Sequence, residues 1–353
     1  GGEALMWAES YAESVRNDLH FTIDALREIV TSLAGLPGRK AVLYVSDGVP
    51  MIAGEDVFYA VESAFQSTGA MTRMYGFDRS RRFEELAAHA NANRVSFYTI
   101  DAGGLRVYSS ADAQTFQVDR AGGAAHIDSI RTHNLQSTLI LMAEKTGGKA
   151  IINQNRVGDA LADVAQDFRT YYSIGYSPGH SGDGRYHRIE VKLAGDRSGR
   201  VRHRDGYRDK SAAAQMSDGV LAALNFPYYS NPLGLELSFD PGSRREDGHY
   251  LVPVTVRVPL RALTLVPRGG GYEASAQLFM AAMDDRGWIS EVQQTDLPVR
   301  VSQERLDESL EEDYVYTVQL LLRAGEQKVA VGIRDQIAAN NSFVTRTVYL
   351  SEN

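Results

Sequence analysis

The stretch Leu36-Pro37-Gly38-Arg39-Lys40-Ala41-Val42-Leu43-Tyr44-Val45-Ser46-Asp47-Gly48 decides how the first half of this chain is read. Ala41 to Val45 is a short apolar run between turn residues, the pattern of a strand buried on both faces. Such strands occur where helices cover a parallel sheet. Upstream, residues 4–35 read as one long helix, with Leu19, Ile23, Leu26, Val30 and Leu33 at three- and four-residue spacing. Gly35, Pro37 and Gly38 stop it. Downstream, 55–65 and 81–93 are helical by pattern, with a loop or short helix from Gln66 to Ser80. Val95 to Ile100 is a second buried strand, ending in Asp101-Ala102-Gly103-Gly104. Residues 105–134 show no period and read as a long surface excursion. Leu135 to Lys145 is a helix stopped by Gly147-Gly148, Ala150-Ile151-Ile152 a short strand, and Val157 to Arg169 a helix. This alternation implies a mostly parallel sheet with helices on both faces.

The period then changes. Tyr171 to Tyr176, His187 to Leu193 and Arg200 to Arg204 alternate at period two and predict antiparallel strands at the sheet edge. Ser211 to Leu224 reads as a linker helix, and Pro227 and Pro232 punctuate a junction. From Leu233 onward about seven strand candidates follow with almost no helix. The clearest are 250–258, 273–283, 314–322, 327–334 and 343–350, while Ser302 to Glu312 is a short helix or charged loop. Short strands at this spacing predict a β-sandwich of immunoglobulin-like type. The expected organisation is an α/β domain over 1–210, a junction over 211–232 and a sandwich over 233–353.

Composition fits this. The chain has 353 residues, 43% hydrophobic and 23% charged, an ordinary globular profile that excludes disordered and collagen-like classes. Residues 1–210 carry 25 basic and 26 acidic side chains, and 211–353 carry 12 and 19, so neither part has the basic footprint of a nucleic-acid binder. With no cysteine, disulfides, thiolate metal sites and cysteine nucleophiles are excluded. No apolar run approaches the ~20 residues of a membrane helix. The N-terminus has no Met and no signal-peptide pattern, and it opens directly into a helical pattern, which reads as a processed or truncated product.

The most informative chemistry is Val45-Ser46-Asp47-Gly48. A carboxylate at the carboxyl end of a parallel strand faces the crevice where doubly wound folds bind ligands. Asp47 there offers one oxygen to a hard cation such as Mg²⁺, and Ser46 and Asp101 are placed to line the same rim. The plain alternative is turn chemistry, since Asp before Gly commonly ends a strand.

The run from Leu36 to Gly48 resembles the fourth-strand segment of von Willebrand factor A-type domains. More narrowly, it resembles the VWFA-related family of exported bacterial proteins, abundant in acidobacteria. Val95 to Gly104, Leu139 to Gly148, Tyr171 to Tyr176, Tyr186 to Val191 and Arg204-Asp205-Gly206-Tyr207 agree with it. The resemblance covers 1–210 well and the β-rich remainder loosely. It implies a Rossmann-like A-type fold, export to the periplasm, cell surface or medium, and a metal-ion-dependent adhesion site. Asp47 matches the carboxylate that such a site takes after the fourth strand. The D-x-S-x-S motif is missing: Asp78-Arg79-Ser80-Arg81-Arg82 lacks the last Ser and follows no strand, and Thr22 lies inside a helix, away from the loop Thr of the pattern. The resemblance therefore implies that the first three strands lie upstream of Gly1, and that no cofactor is required by this chain alone. A divalent cation would bind only once that segment is supplied, by an upstream fragment or a neighbouring protomer adding a strand.

Three other features are weighed against this. Gly175-Tyr176-Ser177-Pro178-Gly179 matches the nucleophile elbow of hydrolases, but the helix the elbow needs is replaced by Ser181-Gly182-Asp183-Gly184. His180, His187 and His203 are near in sequence without a signature. Arg200, Arg202 and Arg204 fall on one strand face and suit an anion or acidic partner, or simply the solvated side of an edge strand. Phe226, Pro227, Tyr228 and Tyr229 form an aromatic cluster for packing or an interface. The histidines lack zinc-enzyme spacing, and Gly269-Gly270-Gly271 lacks the Lys-Ser/Thr and helix of a phosphate loop. The reading is a non-catalytic protein-binding or assembly module of adhesion type. A structural subunit of a surface assembly, built by strand addition, and a hydrolase using Ser177 are the alternatives. Expected partners are a protein, the chain's own upstream fragment or a second protomer, with no nucleic acid and no membrane span.

Overall fold

The computed structural model describes residues 1–67, 69–104, 121–154, 156–176, 179, 182–195, 199, 201–226 and 230–351. It is a mixed helix-and-sheet protein that divides into two compact units. One comprises Gly1–Thr31 with Gly38–Asp209, the other Ser32–Pro37 with Lys210–Asn353.

The first unit opens with helix α1 (Gly2–Leu33), which buries Leu5, Ala8, Ala12, Leu19, Ile23, Leu26 and Val30 along one face. Strand β1 (Lys40–Ser46) follows, then α2 (Glu55–Phe65), α3 (Gly69–Met74), α4 (Ser80–Ala92) and strand β2 (Val95–Asp101). Helix α5 (Ala121–Lys145) leads to β3 (Ala150–Ile151) and α6 (Val157–Arg169). The three strands form a parallel sheet in the order β1-β2-β3, with Lys40 opposite Val95 and Ser46 opposite Asp101. Thr99 of β2 donates its hydroxyl to the Leu139 carbonyl of α5 at 2.9 Å, whereas the next residue, Ile100, packs on Ala160 and Val164 of α6. Successive residues of a strand face opposite ways, so α5 and α6 cover opposite faces.

Two expectations change here. The excursion expected over 105–134 is helical from Ala121, and residues 105–120 lie outside the described residues. The edge strands expected near 171–176, 187–193 and 200–204 do not join the parallel sheet. Among the described residues there, β4 (Tyr186–Arg188) and β5 (Gly206–Arg208) form, as a separate antiparallel pair. Tyr171 to Tyr176 are exposed and outside any strand, because period-two alternation specifies a strand only where one face has something to pack on. Arg204 makes a single bridge to Thr146.

The second unit begins with α7 (Ala212–Asn225), capped by the Ser211 hydroxyl accepting the Ala214 N–H at 3.2 Å. Strands β6 (Glu236–Phe239), β7 (Ser243–Arg244), β8 (Tyr250–Pro259), β9 (Val266–Arg268), β10 (Gly271–Asp284) and β11 (Gln293–Ser302) follow. After the short helix α8 (Leu306–Ser309) come β12 (Asp313–Leu322), β13 (Gly325–Asp335) and β14 (Asn341–Leu350). One antiparallel sheet runs β11-β10-β13-β14, with β9 on β10, and the other β12-β8-β6, with β7 on β8. Their inward residues, among them Val252, Val254, Val256, Leu278, Met280, Val299, Val331 and Ile333, form one core. The helix read as a linker has a packing role: Met216, Val220 and Leu224 bury against Phe279, Ala281 and Ala330 on the other face of the larger sheet.

Candidate functional site

The carboxyl ends of the three parallel strands converge on one rim. Asp101, at the end of β2, is buried; its Oδ1 accepts the Gly103 N–H at 2.9 Å and its Oδ2 accepts Gln136 Nε2 at 2.8 Å. The same Gln136 nitrogen lies 3.0 Å from Asn153 Oδ1, just past β3, so one amide from α5 ties two strand ends together. Ser46 accepts the Gly48 N–H on its hydroxyl at 3.1 Å, and Asp47 between them is exposed. Gly48 has φ +105°, and a Cβ there would lie 2.6 Å from Leu135 Cβ, so the turn requires glycine to let α5 approach. One turn-length away, Asn134 accepts the N–H groups of Met51 and Ile52 at 2.7 and 3.0 Å and donates to the Ile52 carbonyl at 2.8 Å.

Ser46, Asp47 and Asp101 thus share a rim, whereas nothing in the sequence points to Asn134, Gln136 and Asn153. The first two of these belong to a helix whose start carries no period, and an isolated amide side chain has no motif to announce it. Both Asp101 oxygens already accept hydrogen bonds, and among the described residues no three His, Asp or Glu side chains converge. An octahedral hard-cation site needs more oxygens than Asp47 and Ser46 supply.

The other conspicuous feature is β1 itself. Lys40 donates its N–H to the Arg94 carbonyl, and Ser46 accepts the Ala102 N–H on its carbonyl, so the even-numbered residues point their backbone groups at β2. Ala41, Leu43 and Val45 therefore point theirs to the opposite edge, where no strand pairs among the described residues. Their side chains share a face, and Leu43 is 44% and Val45 54% exposed, although their register partners Tyr98 and Ile100 are buried.

Of the arginine stripe, Arg202 is engaged within the fold. Arg200 lies outside the described residues. Arg202 grips both oxygens of Asp167 in a bidentate pair and donates to the Gly148 carbonyl at 3.3 Å. Asp167 also accepts the Tyr98 hydroxyl at 2.7 Å, and that hydroxyl accepts Arg39 at 2.7 Å, with the Arg39 guanidinium over the rings of Phe168 and Tyr171. Burial raises the carboxyl pKa of Asp167, but the hydrogen bonds from Arg202 and Tyr98 outweigh this and hold it below the ordinary range. Burial and that same bond push the Tyr98 phenol up to about 12. Arg204 is partly buried, and its guanidinium pKa is lowered by burial and by nearby Arg94. Arg202 thus ties its segment to α6.

Ser177, Pro178, His180 and Ser181 lie outside the described residues, as do Pro227, Tyr228 and Tyr229. His187 is held 3.1 Å from both oxygens of Asp183 and stacks on Tyr207, and His203 sits 2.9 Å from the Arg204 carbonyl. No helix among the described residues is long and apolar enough to cross a membrane.

No family model matches the chain, and no curated protein matches it. Among solved structures, a β-glucuronidase from Bacteroides uniformis is similar at 10% identity, over 33% of this chain and 13% of its own, with a TM-score of 0.23. The ApaA protein from Bordetella pertussis is similar at 12% identity, over 34% of this chain and 97% of its own, with a TM-score of 0.21. A β-glucosidase from Bifidobacterium adolescentis is similar at 13% identity, over 90% of this chain and 40% of its own, with a TM-score of 0.19. Likeness this slight carries no argument about function.

Proposed function

We propose that this chain is a non-catalytic protein-binding and assembly module of adhesion type, part of an exported bacterial protein related to the von Willebrand factor A-type family, and that it joins its partner by accepting a β-strand along β1. One observation carries this reading: β1 presents unpaired backbone groups and the apolar side chains of Leu43 and Val45 on its outer edge and face, beside strands that are buried. The parallel order β1-β2-β3, with Asp47 at a strand's carboxyl end, supports the A-type resemblance and its Rossmann-like architecture. In the second unit, the order β12-β8-β6 against β11-β10-β13-β14 supports an immunoglobulin-like sandwich. The added strand comes from the same polypeptide upstream or from a neighbouring protomer. If contacts of this kind repeat, the same edge builds a surface assembly.

Hydrogen exchange on the native protein tests the proposal. Strand addition protects the amides of Ala41, Leu43 and Val45 as well as those of Val42 and Tyr44, which face β2. Native mass spectrometry of the same sample identifies the donor as an upstream fragment or a second protomer. Val45→Pro removes an outward N–H without touching the β2 ladder, so the fold persists and the outer protection disappears. Unprotected amides at 41, 43 and 45 in the native protein overturn the reading.

A further inference from the structure

Among the described residues, the outward face of α1 is another apolar surface that nothing covers. We propose that it docks a basic amphipathic helix of a partner protein. The helix is apolar on two sides. One side is buried, and the opposite side exposes Trp7 at 71%, Phe21 at 76% and Met6 at 66%, with Tyr11 beside them. Trp7 and Phe21 are two heptads apart and so lie on one line along the helix. Ser10 and Ser14 are small and exposed between the aromatic anchors, and Ala25 just past Phe21, so a second helix backbone can come close. Large aromatic groups at the centre of a stripe are the residue types that dominate binding energy.

Charge selects the partner. The exposed residues of α1 include Glu3, Asp18, Asp24 and Glu28 and no lysine or arginine; Asp24 pairs with Arg82 of α4 at 3.4 Å, so the acidic excess rests on Glu3, Asp18 and Glu28. Arg16 and Arg27 are half-buried, and Arg16 is paired with Glu13. A face of this sign repels an anionic membrane and repels a second copy of itself, and it attracts an apolar stripe flanked by lysine or arginine. The proposal does not depend on strand addition at β1.

The full chain carrying Trp288→Phe leaves Trp7 as the only tryptophan, since the sequence has two. The probes are a helical Leu/Lys amphipathic peptide and its Leu/Glu counterpart. The Leu/Lys peptide is expected to shift Trp7 emission to the blue, saturably and less tightly as salt rises, and the Leu/Glu peptide to do nothing. Phe21→Ser is expected to weaken binding by about tenfold or more, as loss of an interface anchor does, with the helical circular dichroism unchanged because the side chain is exposed. Equal shifts with both peptides, or equal affinity in Phe21→Ser, overturn the proposal. So does a blue shift produced by phosphatidylcholine/phosphatidylglycerol vesicles or by self-association in sedimentation.

Discussion

At the scale of single residues, the rim at the strand ends depends on close approach as much as on chemistry. Asp47 is presented by a turn that only Gly48 can complete, because its φ of +105° and the proximity of Leu135 leave no place for a side chain. Gly48→Ala is expected to destabilise the protein by about 2–4 kcal/mol, from backbone strain and overpacking together. A methyl group on Gly158, within α6, would meet nothing within 4 Å, and Gly158→Ala is expected to fall within about 1 kcal/mol of the parent. Urea midpoints of the two variants measure the difference. Equal midpoints would mean that the turn relaxes freely. The Arg39–Tyr98–Asp167–Arg202 chain shows a related economy: residues distant in sequence satisfy each other's polar groups.

At the scale of elements, the sandwich strands meet at turns fixed by carboxylates. Asp335, at the end of β13, is buried, and its Oδ1 accepts the N–H groups of Ile337 and Ala338 at 2.8 and 3.1 Å while its Oδ2 accepts that of Thr264 at 2.8 Å. Burial works to raise its pKa, but these hydrogen bonds prevail and lower it. A carboxyl depressed in the folded state contributes stability that is complete above the unfolded value, about 3.9, and is lost as pH falls through the folded value. Asp335→Asn is therefore expected to cost about 1–3 kcal/mol at neutral pH and to flatten the acid limb of the stability curve below about pH 4, read by urea titration at a series of pH values. An unchanged acid limb would assign the acid sensitivity elsewhere. The elements themselves were unevenly legible. Val95 to Ile100 and the long sandwich strands announce themselves by apolar content and alternation, since burial is what their pattern encodes. The start of α5 does not, because Gly122 and Gly123 weaken the helical signal there and the helix is held instead by packing on α2, α4 and β2. Tyr171 to Tyr176 mislead in the opposite direction: they alternate like a strand, yet Tyr171 lies under the Arg39 guanidinium and Tyr172 is exposed. At the site, a carboxylate after a strand could be recognised from sequence. The amides of Gln136 and Asn153 that organise it could not, because their partners are set by tertiary contact.

At the scale of the whole molecule, the chain does not simply finish one unit and begin the next. Ser32–Pro37 belong with Lys210–Asn353, while the residues on either side of that short segment, Gly1–Thr31 and Gly38–Asp209, belong together. Within the second unit, Gly35 lies so close to the Asp218 carbonyl and to Gly219 on α7 that a side chain there would collide with them. The polypeptide therefore crosses from one unit to the other at three places. Cutting it between Asp209 and Lys210 severs one crossing and leaves a six-residue thread still seated in the far half, as in a complementing pair of fragments. A protease site inserted at that junction is expected to yield two pieces that elute as one species in native size-exclusion chromatography and part only in urea. Separation in native buffer would show that the thread holds too weakly to count. If the pieces stay together, a cut there opens the chain without freeing either half.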